Sequence, residues 1–345
     1  MRIGLKIGVS VLLPVMTLAL APAANAQDKL LPVTVELGDV SLTKLPFVMA
    51  AEAGIYRLNG LEVRQYITPN AAELIRRSSG LIVPKEFVGT GRGEINIGGG
   101  SPTLVRMTSD ARAPQRVILA TNDPISRFHI MSRTDIARPE DLKGKRIGFS
   151  GVGALSHLVL MLWAREMGWD PVRDISLLAN GMGGELIRNG RIDAFAADEI
   201  AVGEAIRQGY RDLVDTAVYK FPMPGSGVNA LEDWLPKNRE AAARFIKSTV
   251  DALALIKNDK AAAFAAMAKW YGITDPHAQE HVYAQATQLP SKPYPSVEGI
   301  KAMMSVYSYR EMQTHRPSDF YDASFVADLD KSGYIDTLYK SAAQR

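Results

Sequence analysis

The stretch from Arg138 to His157 constrains the fold more than any other part of the chain. Pro139 to Leu142 reads as a short helical turn, Gly144-Lys145 as a second turn, and Arg146 to Phe149 as a strand. A Ser/Gly loop, Ser150 to Ser156, then opens an apolar helix in which Leu155, Leu158, Val159 and Leu162 recur at helical spacing. A strand that runs straight into a helix is the repeating unit of an α/β sheet. The helix end it creates carries unpaired N–H groups and roughly half a positive charge, a natural place for an anion. The hydroxyls of Ser150 and Ser156 stand beside that end.

The same alternation extends along the chain in both directions. Val33, Val35 and Leu37 have the period of a strand, and the loop Gly38 to Thr43 follows it. Pro46 suits the first turn of a helix that Gly54 ends. Leu61 to Ile67 is the second strand, and a polar helix spans about Ala71 to Ser78. Gly80 to Arg92 is irregular and Gly-rich. A strand over Gly93 to Ile97 leads into Gly98-Gly99-Gly100, where Ser101 reads as an N-cap and Pro102 as the first helical residue. Arg116 to Ala120 is the next strand, ending in Thr121-Asn122, and Phe128 to Arg133 is a crossing strand. Beyond the opening stretch, strands are expected over Asp174 to Leu178 and Asp212 to Tyr219, with helices at Gly184 to Arg188 and Ala201 to Gln208. Phe221 to Gly227 reads as a return linker, and from Leu235 the pattern is helical, with helices over Arg239 to Asn258, Lys260 to Tyr271, Pro276 to Ala286 and Ser296 to Met312 and a last segment from Ala323 to Ser341. Arg92-Gly93-Glu94-Ile95-Asn96-Ile97 and Asn189-Gly190-Arg191-Ile192-Asp193-Ala194-Phe195 match in kind, which points to two lobes of similar topology. The expected class is α/β with a largely parallel sheet.

Arg2 and Lys6, the apolar run Ile7 to Leu20 and the small-residue site Ala24-Asn25-Ala26 together read as a secretory signal peptide cleaved after Ala26. The run is too short for a membrane span. Removing 26 of 345 residues leaves 319, a length suited to about two domains. It also removes two of the 40 basic residues, so 38 face 37 acidic ones, a balance that argues against nucleic acid or a membrane surface as partner. The chain has no cysteine, which excludes a thiol nucleophile, thiolate metal ligands and a lipidated N-terminal cysteine.

Several motifs in order resemble the periplasmic substrate-binding proteins of ABC importers, in the branch that holds nitrate, taurine and alkanesulfonate binders and pyrimidine-precursor-binding relatives. They are Lys44-Leu45-Pro46-Phe47 with Ala51-Glu52-Ala53-Gly54-Ile55-Tyr56, then Asn59-Gly60-Leu61-Glu62-Val63 and Gly93-Glu94-Ile95-Asn96-Ile97. Glu140-Asp141-Leu142-Lys143-Gly144-Lys145-Arg146-Ile147-Gly148 and Gly190-Arg191-Ile192-Asp193-Ala194 complete the set, which covers roughly residues 33 to 230. The longer segment 80 to 92 departs from the family pattern. The resemblance implies a type II periplasmic-binding-protein fold, two α/β lobes joined by two crossing segments, with a helical C-terminal region. Residues 28–122 plus 228–345 would form one lobe and 123–227 the other. It further implies a small-molecule ligand in the cleft, inner-membrane permease subunits as partners, a periplasmic location, a monomer and no cofactor.

Ligands of open α/β sheets lie beyond the carboxyl ends of the strands. Those ends carry Ser41 and Thr43, Gly100 and Ser101, Thr121 and Asn122, Ser150, Gly153, Ser156 and His157, and Asp198 and Glu199, and these are the candidate ligand-binding residues. Two helix starts, at Ser101 and at Ser150 to Ser156, would converge on one oxyanion of the sulfonate or carboxylate class. Asp198-Glu199 either meets a ligand amine or hydroxyl, or caps the helix that follows. Gly151-Val152-Gly153-Ala154-Leu155-Ser156 is close to a dinucleotide fingerprint but has Ser at the third glycine, and no acid ends the next strand. His277-Ala278-Gln279-Glu280-His281 matches a zinc pattern, yet Asp275-Pro276 ahead of it reads as a helix start, which makes a surface helix the plainer reading. No metal ligand or catalytic residue is assigned. Enzymes share this fold, so one acting on an aromatic acid, or an exported ligand-sensing protein, is the alternative to solute capture. The desulfinase and pyrimidine-synthase relatives depend on a cysteine that this chain lacks.

Overall fold

A computed structural model describes residues 29–108 and 113–340, so the expected signal peptide lies outside the described residues, as does the side chain of Ser101. Strand β1 (Leu31–Leu37) buries its alternate residues Val33, Val35 and Leu37. Helices α1 (Leu45–Glu52) and α2 (Ile55–Leu58) lead to β2 (Leu61–Ile67), α3 (Pro69–Ser79), β3 (Ile95–Gly98), α4 (Gly100–Thr108) and β4 (Arg116–Thr121). Strand β5 (His129–Ser132) begins a second sheet, followed by β6 (Arg146–Phe149), α5 (Leu155–Glu166), β7 (Ser176–Ala179), α6 (Gly184–Arg188), β8 (Ala194–Ala197), α7 (Glu199–Arg207) and β9 (Arg211–Asp215). The chain returns through β10 (Gly227–Leu231) and ends in α8 (Arg239–Asn258), α9 (Lys260–Ala266), α10 (Pro276–Ala286), α11 (Val297–Val306), α12 (Ser324–Lys331) and α13 (Tyr334–Lys340).

The two sheets run β2-β1-β3-β10-β4 and β7-β6-β8-β5-β9. Each is mixed rather than largely parallel. β1 pairs in parallel with β2 and β3, and β6 with β7 and β8, but β10 lies antiparallel between β3 and β4, and β5 antiparallel between β8 and β9. The physical reason is the crossing itself. A chain that leaves one sheet at a strand's carboxyl end enters the other from that end and must run backwards through it. Strand β10 was hidden within and just after the expected linker, since Gly-Val-Asn-Ala-Leu is buried at every position and shows no alternation. The strand expected to reach Tyr219 stops at Asp215, whose carboxylate accepts the Ala217 N–H and starts a 3-10 turn.

The two crossing segments run side by side. Ser126 N–H donates to Phe221 O at 2.9 Å, and Met223 N–H to Pro124 O at 2.8 Å. The irregular segment after α3 docks on the edge strand, with Val88 bridged to Ile67 and Gly89 packed on the Tyr66 ring. One apolar core lies under α1 and α8, with Phe47, Phe245 and Tyr56 stacked. A second joins α5 and β6 to α4 and α11, so Leu104, Ile300 and Met303 pack in one cluster with Phe149, Leu158 and Trp163. The C-terminal region therefore seals one side of the gap between the sheets.

Gly299 in α11 is the tightest point of that seal, because a β-carbon there would overlap the Met223 backbone. The variant Gly299→Ala should lose about 1–3 kcal/mol by overpacking, read as a lower urea midpoint at unchanged slope.

Candidate functional site

A cavity of about 770 Å³ lies between the sheets, at the carboxyl ends of β1, β3, β6 and β8. Its wall includes Asp39, Ser41 and Thr43 after β1, Gly98 and Gly99 at the end of β3, Ser150, Leu155 and Ser156 at the start of α5, and Asp198 and Glu199 at the start of α7. Asp123, Ser126 and Arg127 of the first crossing segment and Ser226 of the second complete the centre.

The start of α5 lies at the cavity wall. The cap residue, Ala154, offers no side-chain bond to the first-turn amides. Ser156 Oγ accepts the Ser150 N–H at 3.0 Å and lies 2.7 Å from Ser150 Oγ, so the two hydroxyls are held together at the cavity wall. The opposing helix start differs from expectation. Helix α4 begins at Gly100, which places Ser101 in the first turn rather than at the cap. Gly99 packs on Leu155, and Gly100 sits against the Gly153 carbonyl and Met303. The two helix starts thus touch each other, and Gly100 and Gly153 form a contact instead of lining the cavity.

Three further candidates are spent on structure. Thr121 is 1% exposed; its hydroxyl donates to Pro224 O at 3.0 Å and accepts the Ser296 N–H. Asn122 is equally buried and its Nδ2 donates to Thr43 O, while its Oδ1 is buried without a partner and away from the cavity. Neither lines the cavity. His157 turns away too, stacked on Phe149 with ring centroids 4.4 Å apart and with Nδ1 2.8 Å from the Tyr307 hydroxyl. Desolvation pushes this imidazole down to about 4, so it stays neutral and serves as an acceptor for Tyr307.

Five carboxylates, Glu36, Asp39, Asp123, Asp198 and Glu199, and four guanidiniums, Arg77, Arg92, Arg116 and Arg127, line the cavity, so its charge is nearly balanced. Lys44, fully buried, meets Asp39 at 2.6 Å and Ser226 Oγ at 2.6 Å. Arg127 pairs with Asp123 at 3.0 Å, yet desolvation still pushes the Asp123 carboxyl up to about 7. Asp198 caps α7, accepting from Ile200 N and Ala201 N at 3.1 and 2.9 Å. Glu199 reaches across to the other lobe, where its Oε1 accepts the Leu42 N–H at 2.5 Å. Desolvation raises both carboxyls, and their mutual proximity raises Asp198 further. Of the two roles open to this pair, Asp198 fills that of helix cap and Glu199 bridges the lobes. Helix α3 packs on α7 at the same side, and Arg77 of α3 donates to Asn180 O at 3.4 Å.

Sequence reasoning missed Asp123, Arg116 and Asn96 as cavity residues, and it placed Asp39 in a cleft-lining loop without assigning it a role. Asp39 and Asp123 follow strand ends directly, the one signal that marks them. The zinc-like pattern lies on α10, where Asp275 accepts the Ala278 N–H at 2.8 Å and Pro276 opens the helix. No helix among the described residues is long and apolar enough to cross a membrane.

Comparison with known proteins agrees with this geometry. Residues 43–263 match the sequence profile of the family described as NMT1/THI5 like. A comparison with curated protein sequences finds no match. The alkanesulfonate-binding protein SsuA from Xanthomonas axonopodis pv. citri, solved bound to MOPS, superposes with a TM-score of 0.61 at 16% identity, covering 85% of this chain and 98% of that one. The periplasmic nitrate-binding protein NrtA from Synechocystis PCC 6803 gives 0.59 at 14% identity, with 92% and 89% covered. The desulfurization enzyme DSZB gives 0.57 at 15% identity, with 87% and 99% covered. At these identities the likeness establishes a shared periplasmic-binding-protein fold.

Proposed function

The chain belongs to the NMT1/THI5-like family, and from that membership and the cavity we propose that it is the periplasmic solute-binding component of an ABC importer. It captures a small organic anion, a sulfonate or carboxylate, between its lobes and delivers it to the membrane permease. The lobes that close are residues 28–122 plus 228–345 and residues 123–227, and the receptor works as a monomer, without catalysis. The observation that carries this reading is the uncapped start of α5, whose Leu155 and Ser156 line a cavity walled by both lobes. First-turn amides without intrahelical partners attract an oxyanion. Relatives of the same fold named for alkanesulfonate and nitrate binding support it, and so does the signal-peptide pattern at residues 1–26.

Mass spectrometry of small molecules released from freshly purified protein, followed by calorimetric titration of each, tests the proposal. A stoichiometric acid recovered unchanged after incubation supports capture. Conversion of an aromatic acid by the protein would favour the enzyme alternative, which the fold shared with a desulfurization enzyme motivates. Binding of a cation only would overturn the anion reading.

The pH dependence follows from the cavity acids. Asp123 has its carboxyl raised to about 7 and is neutral below that pH. Rising pH therefore adds negative charge beside the bound anion. Affinity should fall between pH 6 and pH 9, and the fall should be smaller in Asp123→Asn. The same raised value makes folding stability attributable to Asp123 complete below its ordinary value near 4 and lost as pH rises through 7.

A further inference from the structure

We infer that the cavity continues as a subsite on the buried face of the first sheet, built to take a hydrogen-bond-donating nitrogen group at the end of the ligand remote from its acid. The inference rests on the solute-capture reading and deepens it. Residues directly opposite in neighbouring strands share a face, and the registers Tyr66↔Glu36, Glu36↔Asn96 and Asn96↔Asn229 draw a polar row across four strands. A sheet face covered by helices is ordinarily apolar. The positions one step nearer the carboxyl ends are glycines, Gly38 after β1 and the paired Gly98 and Gly227. A floor without side chains leaves room over the sheet. Glu36, Gly38, Asn96 and Gly98 all line the cavity, roofed by Pro102 and Val105 of α4.

Asn96 makes the chemistry specific. It is 6% exposed, and its Nδ2 donates to Glu36 Oε1 at 2.8 Å. That bond fixes the amide orientation, because the flipped amide would set an oxygen against a carboxylate. Asn96 Oδ1 is then buried with no partner, and it lies over Gly98, where a β-carbon would collide with it. Buried acceptors without a partner are rare and costly. The nearby guanidinium of Arg116 does not serve it, since it donates to Gly93 O, Glu94 O and Asn229 O. What remains on offer is an amide oxygen beside a carboxylate, which calls for a donor such as an amino, amide or amidine N–H. A rigid ring that carries an acid on one carbon and the nitrogen on the opposite one probes both ends of such a ligand.

Two isosteric pairs test the subsite by calorimetric titration: 4-aminobenzenesulfonate against 4-methylbenzenesulfonate, and 4-aminobenzoate against 4-methylbenzoate. The wild-type protein should bind one amino compound at least 10-fold more tightly than its methyl partner. In Asn96→Leu that ratio should fall to about one while the methyl compound still binds, which also shows that the variant is folded. Gly98→Ser, which fills the floor, should weaken both members of the pair. Equal wild-type affinity within each pair, or a preference that survives Asn96→Leu, would overturn the subsite and leave solute capture standing. Should Asn96→Leu not fold, the wild-type comparison decides alone. No binding by any of the four acids would overturn the subsite as well, and solute capture would then stand or fall on the released-ligand measurement alone.

Discussion

Asp39→Ala should cost about 3 kcal/mol of folding stability, toward the lower end of the 3–5 kcal/mol typical when one partner of a buried ion pair is removed. Lys44 is completely buried, and Asp39 at 2.6 Å is its only carboxylate partner among the described residues. Without it the ammonium keeps the hydroxyls of Thr43 and Ser226, which carry no compensating charge. The lower end applies because the Asp39 side chain is itself 37% exposed, so water reaches the gap. The double variant Asp39→Ala/Lys44→Met should recover most of the loss, since no bare charge then remains buried. Urea denaturation of the four species of the cycle measures this, and a double variant no better than Asp39→Ala would contradict it.

The second large effect concerns closure. Glu199 is 6% exposed and ties the start of α7 to Leu42 of the opposite lobe. A hydrogen bond to a charged group is worth about 1.5–3 kcal/mol, so on the proposed capture between closing lobes Glu199→Ala should weaken ligand binding by about 10- to 100-fold by lowering the population of the closed form. Glu199→Gln retains an acceptor for the Leu42 N–H and should lose less than about tenfold. Small-angle scattering of the ligand-free Ala variant should report a larger radius of gyration than wild type. Equal losses in both variants, at unchanged dimensions, would instead mean that the charge acts on the ligand itself.

Much of the architecture was legible in the residues. Apolar periods of two and 3.6, with Gly and Pro as punctuation, located β1, β2, β6, α3, α5 and α8 to within a few residues. Helix ends were less secure. The single helix expected over residues 296–312 ends at Val306 and resumes as a 3-10 turn at Arg310, and the last segment breaks at Gly333, whose φ is +74°. Strand β10 carries no local signal, because a strand buried on both faces has no alternation to read.

For the site, sequence determined which loops assemble: strand ends are local features, and an α/β sheet brings its carboxyl ends together. Ser150, Ser156, Asp198 and Glu199 lie on the cavity wall for that reason. Which groups stay free for a ligand was decided only by tertiary structure. The Thr121 hydroxyl and the Asn122 amide nitrogen are taken by Pro224 and Thr43, 103 and 79 residues distant, Asn122 lies off the cavity, and His157 is taken by Tyr307, 150 residues away. Asn96, unremarked as a candidate, keeps its acceptor because Arg116 is already held by three carbonyls. A side chain's type states what it can bond. Whether that capacity is already satisfied depends on partners that only the folded chain brings within 3 Å.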